Sequence, residues 1–204
     1  MLESHRGYDI GALEVARSLA RTICAPIVYS TVTRLVVDLN RSSSSGKVFS
    51  EFTRHLNTPE RVRALEDFHG PHRNRVATLV SDRMSQNLRV LHLSVHSFTP
   101  FLGEYTRKAD IGLLYDPSRA NERGLCVRLQ QELNRILPQW NIRRNYPYRG
   151  SDDGLTTHLR SRFPESHYLG VEIEINQARL MKMTDRPRVG HWIAAALGNV
   201  TSDG

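Results

Sequence analysis

The chain predicts an α/β protein, a three-layer sandwich with helices on both faces of a mixed, mostly parallel central sheet. Two observations carry that expectation. Segments with helical apolar spacing alternate with short apolar runs of strand length, the order expected when helices pack on a sheet. The chemically distinctive residues also fall at the ends of those short runs or on the turns beyond, where open α/β sheets take ligands.

The elements follow in order. Asp9 to Ile23 reads as a helix, with Ile10, Leu13, Ala16, Leu19, Ala20 and Ile23 on one stripe and Asp9 placed to cap its first amides. Pro26 opens a short apolar strand ending at Tyr29. A second strand, Arg34 to Asp38, runs into Asn40-Arg41 and the serine run 42–45, which is too short to divide domains. Thr58-Pro59 starts a helix, with Thr58 as N-cap, that continues to about Gln86 and is disturbed by Gly70-Pro71. Leu88 to Val95 and Asp110 to Tyr115 are strands. Arg119 to Leu137 is a helix with Leu125, Leu129, Leu133 and Ile136 turned inward. Asn145 to Thr157, with Pro147, Gly150 and Gly154, reads as a long functional loop. Tyr168 to Ile175 is a strand, and Gly190 to Leu197 lies in a closing helix. There is no internal repeat, and 204 residues suit one domain over 1–204.

Composition narrows the function. Hydrophobic residues make up 39% and charged residues 24%, an ordinary globular balance. No apolar run approaches the roughly 20 residues of a transmembrane helix. The start, Met1 to Arg6, has no apolar secretion core, so cytoplasm is expected. Cys24 and Cys126 lack a paired spacing and read as small buried apolar residues rather than a disulfide or thiolate site. The net charge of +7 invites a nucleic-acid reading. Yet the cations are nearly all arginine, with lysine only at Lys47, Lys108 and Lys182, and they are spread along the chain. A solvated surface plus a few arginines aimed at a small anion fits better.

Amide hydrolysis needs an activated water, a polarised carbonyl and a proton for the departing amine. Zinc with an open coordination position supplies the first two, and a neighbouring carboxylate moves the proton. His96 is the candidate ligand, placed where the alternating run Leu91, Leu93, Val95 breaks into Ser97-Phe98-Thr99-Pro100. His5 and Asp9, four apart at a helix start, are further candidates, beside the plain reading of Asp9 as a cap. Glu174 is the candidate base. Alternation puts Glu172 and Glu174 on one face of an otherwise apolar strand, and the bland alternative is an edge strand with a solvated outer face. Arg34, Asn40 and Arg41 can clamp a substrate carboxylate, with Asp38 either orienting one of them or tying off a strand end. Arg107 and Asp110 admit the same two readings.

In order along the chain stand His5-x-x-x-Asp9-x-Gly11-Ala12, Ala25-Pro26, the block Thr33 to Arg41, His96-Ser97-Phe98-Thr99-Pro100, Asp110 to Tyr115, Asn145-x-Pro147-Tyr148 and Ile173-Glu174-Ile175-x-Gln177. This series resembles the N-formylglutamate amidohydrolase family over nearly the whole chain. That family is similar to the zinc carboxypeptidases, with a phosphorylase/hydrolase-like sheet sandwiched by helices. The resemblance implies a zinc-dependent hydrolase that removes a formyl or other acyl group from the nitrogen of an amino acid, such as N-formylglutamate. It implies Zn2+ held by His96, with Asp9 and His5 near the metal, Glu174 as base, and Asn40 and Arg41 on the substrate carboxylate. Arg34, Arg107 and Tyr148 complete the substrate-binding candidates. The expected partner is a small anionic N-acyl amino acid, with no nucleic acid and no membrane, and the oligomeric state is not legible. Family members carry an earlier strand ending in a His-Ala-Ser or His-x-Gly type turn that supplies another ligand. Nothing before His5 matches it, so the chain is expected to be N-terminally truncated. The alternative is a non-catalytic member that binds anionic metabolites through an arginine cleft.

Overall fold

Four strands of the computed structural model, which describes residues 6–202, form one sheet in the order β1-β6-β4-β5: β1 (Val90–Phe98), β6 (Tyr168–Asn176), β4 (Ile111–Leu114) and β5 (Ile142–Arg144). β4 pairs antiparallel with β6 and parallel with β5. β1 and β6 run parallel. His92 Nδ1 meets the Tyr168 hydroxyl at 2.9 Å near their starts, and Gln177 Nε2 donates to Ser97 Oγ at 3.2 Å near their ends. The sheet is therefore mixed and mostly parallel, with flanking helices, as the sequence predicts. A small hairpin of β2 (Phe101–Leu102) and β3 (Tyr105–Thr106) stands apart from it. No described helix is long and apolar enough to cross a membrane.

By internal packing the chain divides into two units. The first comprises residues up to 8, 28–92 and 152–169. Its helices are α2 (Thr58–Ala64), a π-helical turn (Leu65–His69), α3 (Gly70–Ser85) and α5 (Leu155–Arg162). Asn57, not Thr58, caps α2: its side chain accepts from Glu60 N while Glu60 returns a bond to Asn57 N. The π turn is the disturbance expected at Gly70-Pro71. Pro71 has no N–H for the carbonyl four residues back, and the ladder widens so that Gly70 N reaches Leu65 O. Val76, Ala77 and Val80 of α3 pack with Leu155 and Leu159 of α5 around the buried ring of Tyr168.

A second core in this unit gathers Val37, Val48, Phe49 and Ala64. The strands predicted at 26–29 and 34–38 do not form. Here the carbonyls find hydroxyls instead of a neighbouring strand: Ser50 Oγ donates to Leu35 O and Thr53 Oγ1 to Val36 O at 2.9 Å. With those acceptors satisfied, an irregular path is as well bonded as a ladder.

The second unit holds residues 9–27, 93–151 and 170 onward. α1 (Ala12–Thr22) buries Ala12, Val15, Ser18 and Leu19, one residue round from the predicted stripe, and leaves Ile23 exposed. α1 packs on α6 (Asp185–Ser202) at close range, because a Cβ on Gly190 would come within 2.7 Å of both Ser18 Cβ and Val15 O. β4, α4 (Ala120–Ile136) and β5 make a parallel crossover unit, with Leu125, Leu129 and Leu133 inward as expected. α4 also buries Glu122 completely, its two oxygens accepting from Asp116 N at 3.0 Å and Gly170 N at 2.9 Å. Cys126 is buried, whereas Cys24 is exposed, against expectation, beyond the end of α1.

Gly112 marks a close approach that shapes one face of the sheet. It lies opposite Glu174 in the β4–β6 register, and a Cβ there would overlap the carbonyl oxygen of Tyr146. Gly112→Ala should therefore displace the 145–148 loop and destabilise the fold by about 1–3 kcal/mol. Denaturant unfolding of the purified variant checks this, and an unchanged midpoint would remove the steric argument.

Candidate functional site

Alternation along β1 and β6 sorts their side chains onto two faces. On β6 the odd positions Leu169, Val171, Ile173 and Ile175 are apolar and buried, and on β1 Leu91, Leu93 and Val95 are apolar and half-buried. The even positions carry the titratable and polar side chains: His92, Ser94 and His96 between Val90 and Phe98 on β1, and Tyr168, Glu172, Glu174 and Asn176 on β6. β4 adds only Gly112 and Leu114 to that face, opposite Glu174 and Glu172. β6 is interior to the sheet, so the edge-strand reading of the two glutamates is wrong. Glu172 is 8% exposed and Glu174 6%. Carboxylates buried this far need compensating partners.

His96 supplies one. Its Nδ1 lies 2.8 Å from Asp9 Oδ2, and its Nε2 lies 2.9 Å from Ser94 Oγ. Asp9 therefore does not cap α1, whose N-cap is Gly11 in a left-handed conformation (φ 76°). Burial alone would lower the His96 pKa. The bond and charge of Asp9, then the charges of Glu174 and Glu172, outweigh burial and raise it from 6.5 to about 9. An imidazolium thus sits among three carboxylates.

The donor types fit zinc. An imidazole nitrogen and a carboxylate oxygen face each other across 2.8 Å, in a strongly acidic setting. Both ring nitrogens are bonded, Nε2 to Ser94 and Nδ1 to Asp9, so Nδ1 would exchange its proton and that hydrogen bond for a metal shared with Asp9. The described residues hold no group of three or more His, Cys, Asp or Glu suited to a metal, and the predicted ligand His5 lies outside the described residues.

The 145–148 loop brings Tyr148 to Arg107. Arg107 is 7% exposed, donates from Nη1 to the Tyr148 hydroxyl at 3.2 Å, and lies against the rings of Tyr148 (5.2 Å) and Phe98 (5.8 Å). The Arg107–Asp110 pair does not form. Asp110 instead takes Arg179 at 2.7 Å and accepts from Asn141 N at 2.8 Å.

The remaining candidates lie in the first unit. Arg34 is exposed, and its N–H donates to Gly7 O at 3.0 Å. Asp38 accepts from Asn40 N, turning the chain. Asn40 Oδ1 accepts from Leu155 N at 2.8 Å, which assigns the amide's oxygen and leaves Nδ2 as its donor. Arg41 Nη1 donates to Asp153 O at 2.9 Å. Asp153 also accepts from Ser42 N.

Sequence reasoning missed Ser94, Asp153, Arg73 and the function of Gly112. Only Gly112 carried a local signal, as a glycine inside a strand pattern. Arg73 is buried, which lowers its pKa, while Asp153 and then Asp38 oppose that shift. Burial, followed by the charges of Arg73 and other cationic neighbours, likewise lowers His72 and His158.

The fold defines the class first, an α/β protein whose mixed sheet carries an acid–imidazole cluster on one face. The chain belongs to the N-formylglutamate amidohydrolase family, whose sequence model matches residues 1–181, and it is a hydrolase of the amide-cleaving type. The solved structure of gene product Atu2144 from Agrobacterium tumefaciens is similar over 99% of this chain and 81% of that one, with 28% identity and a TM-score of 0.85. The N-formylglutamate amidohydrolase from Ralstonia eutropha JMP134 shares the fold over 95% of this chain and 88% of its own, at 16% identity and a TM-score of 0.63. No curated protein matches the sequence.

In the metal-free protein His96 titrates high, so its contribution to stability is complete below about pH 6.5 and is lost as pH rises through about 9. Asp9→Asn should lower the His96 pKa, seen by NMR titration of the imidazole, and flatten stability across that window. A wild-type titration at the ordinary 6.5 would contradict the pairing.

Proposed function

We infer that this chain is a zinc-dependent amidohydrolase that removes the formyl, or another small acyl, group from the nitrogen of an anionic amino acid such as N-formylglutamate. The observation that carries the reading is the facing pair His96 Nδ1 and Asp9 Oδ2 on the buried polar face that also bears Glu174. His96 and Asp9 hold the zinc in this reading, with His5 as a further ligand. Zinc supplies polarisation of the amide carbonyl and a water of lowered pKa when bound. Glu174 takes the proton from the attacking water and returns it to the departing nitrogen. Its strand, bonded on both sides, fixes the backbone that carries this carboxylate.

Substrate recognition falls to donors whose surroundings suit anions. Arg107 meets aromatic faces and a phenol rather than a carboxylate, with Asp110 drawn off by Arg179. Tyr148 steers its guanidinium. Asn40 presents Nδ2, and Arg41 has donors beyond the one given to Asp153. Arg34, exposed, is the remaining candidate.

Glu174→Gln should lower kcat on N-formylglutamate by about 10²–10⁴-fold while zinc content stays unchanged. His96→Ala should lose the metal, falling from about one zinc per chain to none by mass spectrometry. Formate release that survives chelation, or a metal content indifferent to His96, would point to the non-catalytic alternative or to another chemistry.

A further inference from the structure

The segment 39–41 has no strand to hold it, yet three of its successive carbonyls converge on one nitrogen. Arg73 Nη1 donates to Leu39 O at 3.3 Å, Asn40 O at 2.8 Å and Arg41 O at 3.2 Å. His69 Nε2 lies 2.8 Å from Arg41 O. Arg73 and His69 are four residues apart at the junction of the π turn and α3, so they leave the helix on one face. Both are buried, at 7% and 6% exposure. On the other side Asn40 is bonded to Leu155 N and Arg41 to Asp153 O. The backbone of the pair is thus gripped from α3, while its side chains are braced at the start of α5.

We propose that Arg73, seconded by His69, is a positioning residue that holds Asn40 and Arg41 in the orientation that receives a substrate carboxylate. The proposal rests on the reading of Asn40 and Arg41 as the carboxylate clamp. A clamp needs its donors fixed against rotation, and a loop without ladder bonds cannot fix them itself. Three converging carbonyls on one buried cation do so at a single point. The burial of Arg73 matches this, because a guanidinium bonded to carbonyls is a brace and touches no substrate.

The test compares steady-state kinetics of the zinc-loaded enzyme on N-formylglutamate and on the same compound with its α-carboxylate amidated. Arg73→Met should raise KM for the acid by about 10–100-fold, with kcat within about threefold, and should erase the preference for acid over amide. Arg73→Lys should recover part of the loss, since the three contacts come from one nitrogen. His69→Leu should shift KM the same way by less. Asn40→Ala and Arg41→Ala, measured alongside, test the clamp itself. If they raise KM while folded Arg73→Met does not, the positioning role is overturned and the clamp stands. If neither alters KM or the acid preference, the clamp fails and the proposal with it. Should Arg73→Met not fold, unchanged KM in both Arg73→Lys and His69→Leu overturns the role. A loss of kcat alone marks Arg73 as merely structural and also overturns it.

Discussion

Burying Glu172 and Glu174 side by side on an interior strand is the constraint from which the second unit's site is built. Two carboxylates removed from water repel each other and lose their hydration, and apolar neighbours on that face would leave both uncompensated. The positive His96 imidazole, tied to Asp9, answers part of that cost and in turn acquires a pKa of about 9. Asp9 is thereby withdrawn from capping, and α1 starts instead at a left-handed glycine. Gly112 follows from the same face, because the Tyr146 carbonyl rests where its side chain would be. The opposite face is free to be apolar, and Val171, Ile173 and Ile175 fill it.

The first unit answers a different demand, that backbone acceptors removed from water find donors. Between Leu35 and Arg41 those donors are side chains: Ser50, Thr53, Arg73 and His69. Such a segment has the composition of a strand, because Leu35, Val36 and Val37 are apolar and β-branched in part. It lacks a strand's partner. Its side-chain donors lie 15 to 34 residues away in sequence, so local pattern cannot reveal them.

That explains which parts of the molecule were legible. α3, α4 and α6 were readable from apolar spacing set by burial on one side, and β1, β4 and β6 as short, largely apolar runs of strand length. The strand at 34–38 failed because propensity without a neighbouring strand does not make a sheet. β5, at Ile142–Arg144, is too short to leave a periodic trace. Glu174, His96 and Asp9, and Arg107 with Tyr148, were named from residue type and order, and the structure places His96 beside Asp9 and Arg107 beside Tyr148. Ser94 and Arg73 were not named, since a serine in a strand or an arginine in a helix looks the same whether or not it grips something. Their roles exist only in three dimensions.

The arginines show how one residue type divides into different tasks. Read as a sequence, they form a diffuse positive charge. In the fold, Arg73 and Arg107 are equally buried, and the difference lies in what they touch. Arg73 has Nη1 committed to backbone carbonyls, which are neutral acceptors, so its charge is shared and its geometry is spent on holding the chain. Arg107 lies against the faces of Phe98 and Tyr148 and gives one N–H to a phenol. A guanidinium on aromatic faces keeps donors in its own plane, where a carboxylate approaches. Lysine would serve neither place as well, because its point charge is more costly to dehydrate and has no flat face to stack. At these two buried positions arginine is therefore what the contacts require.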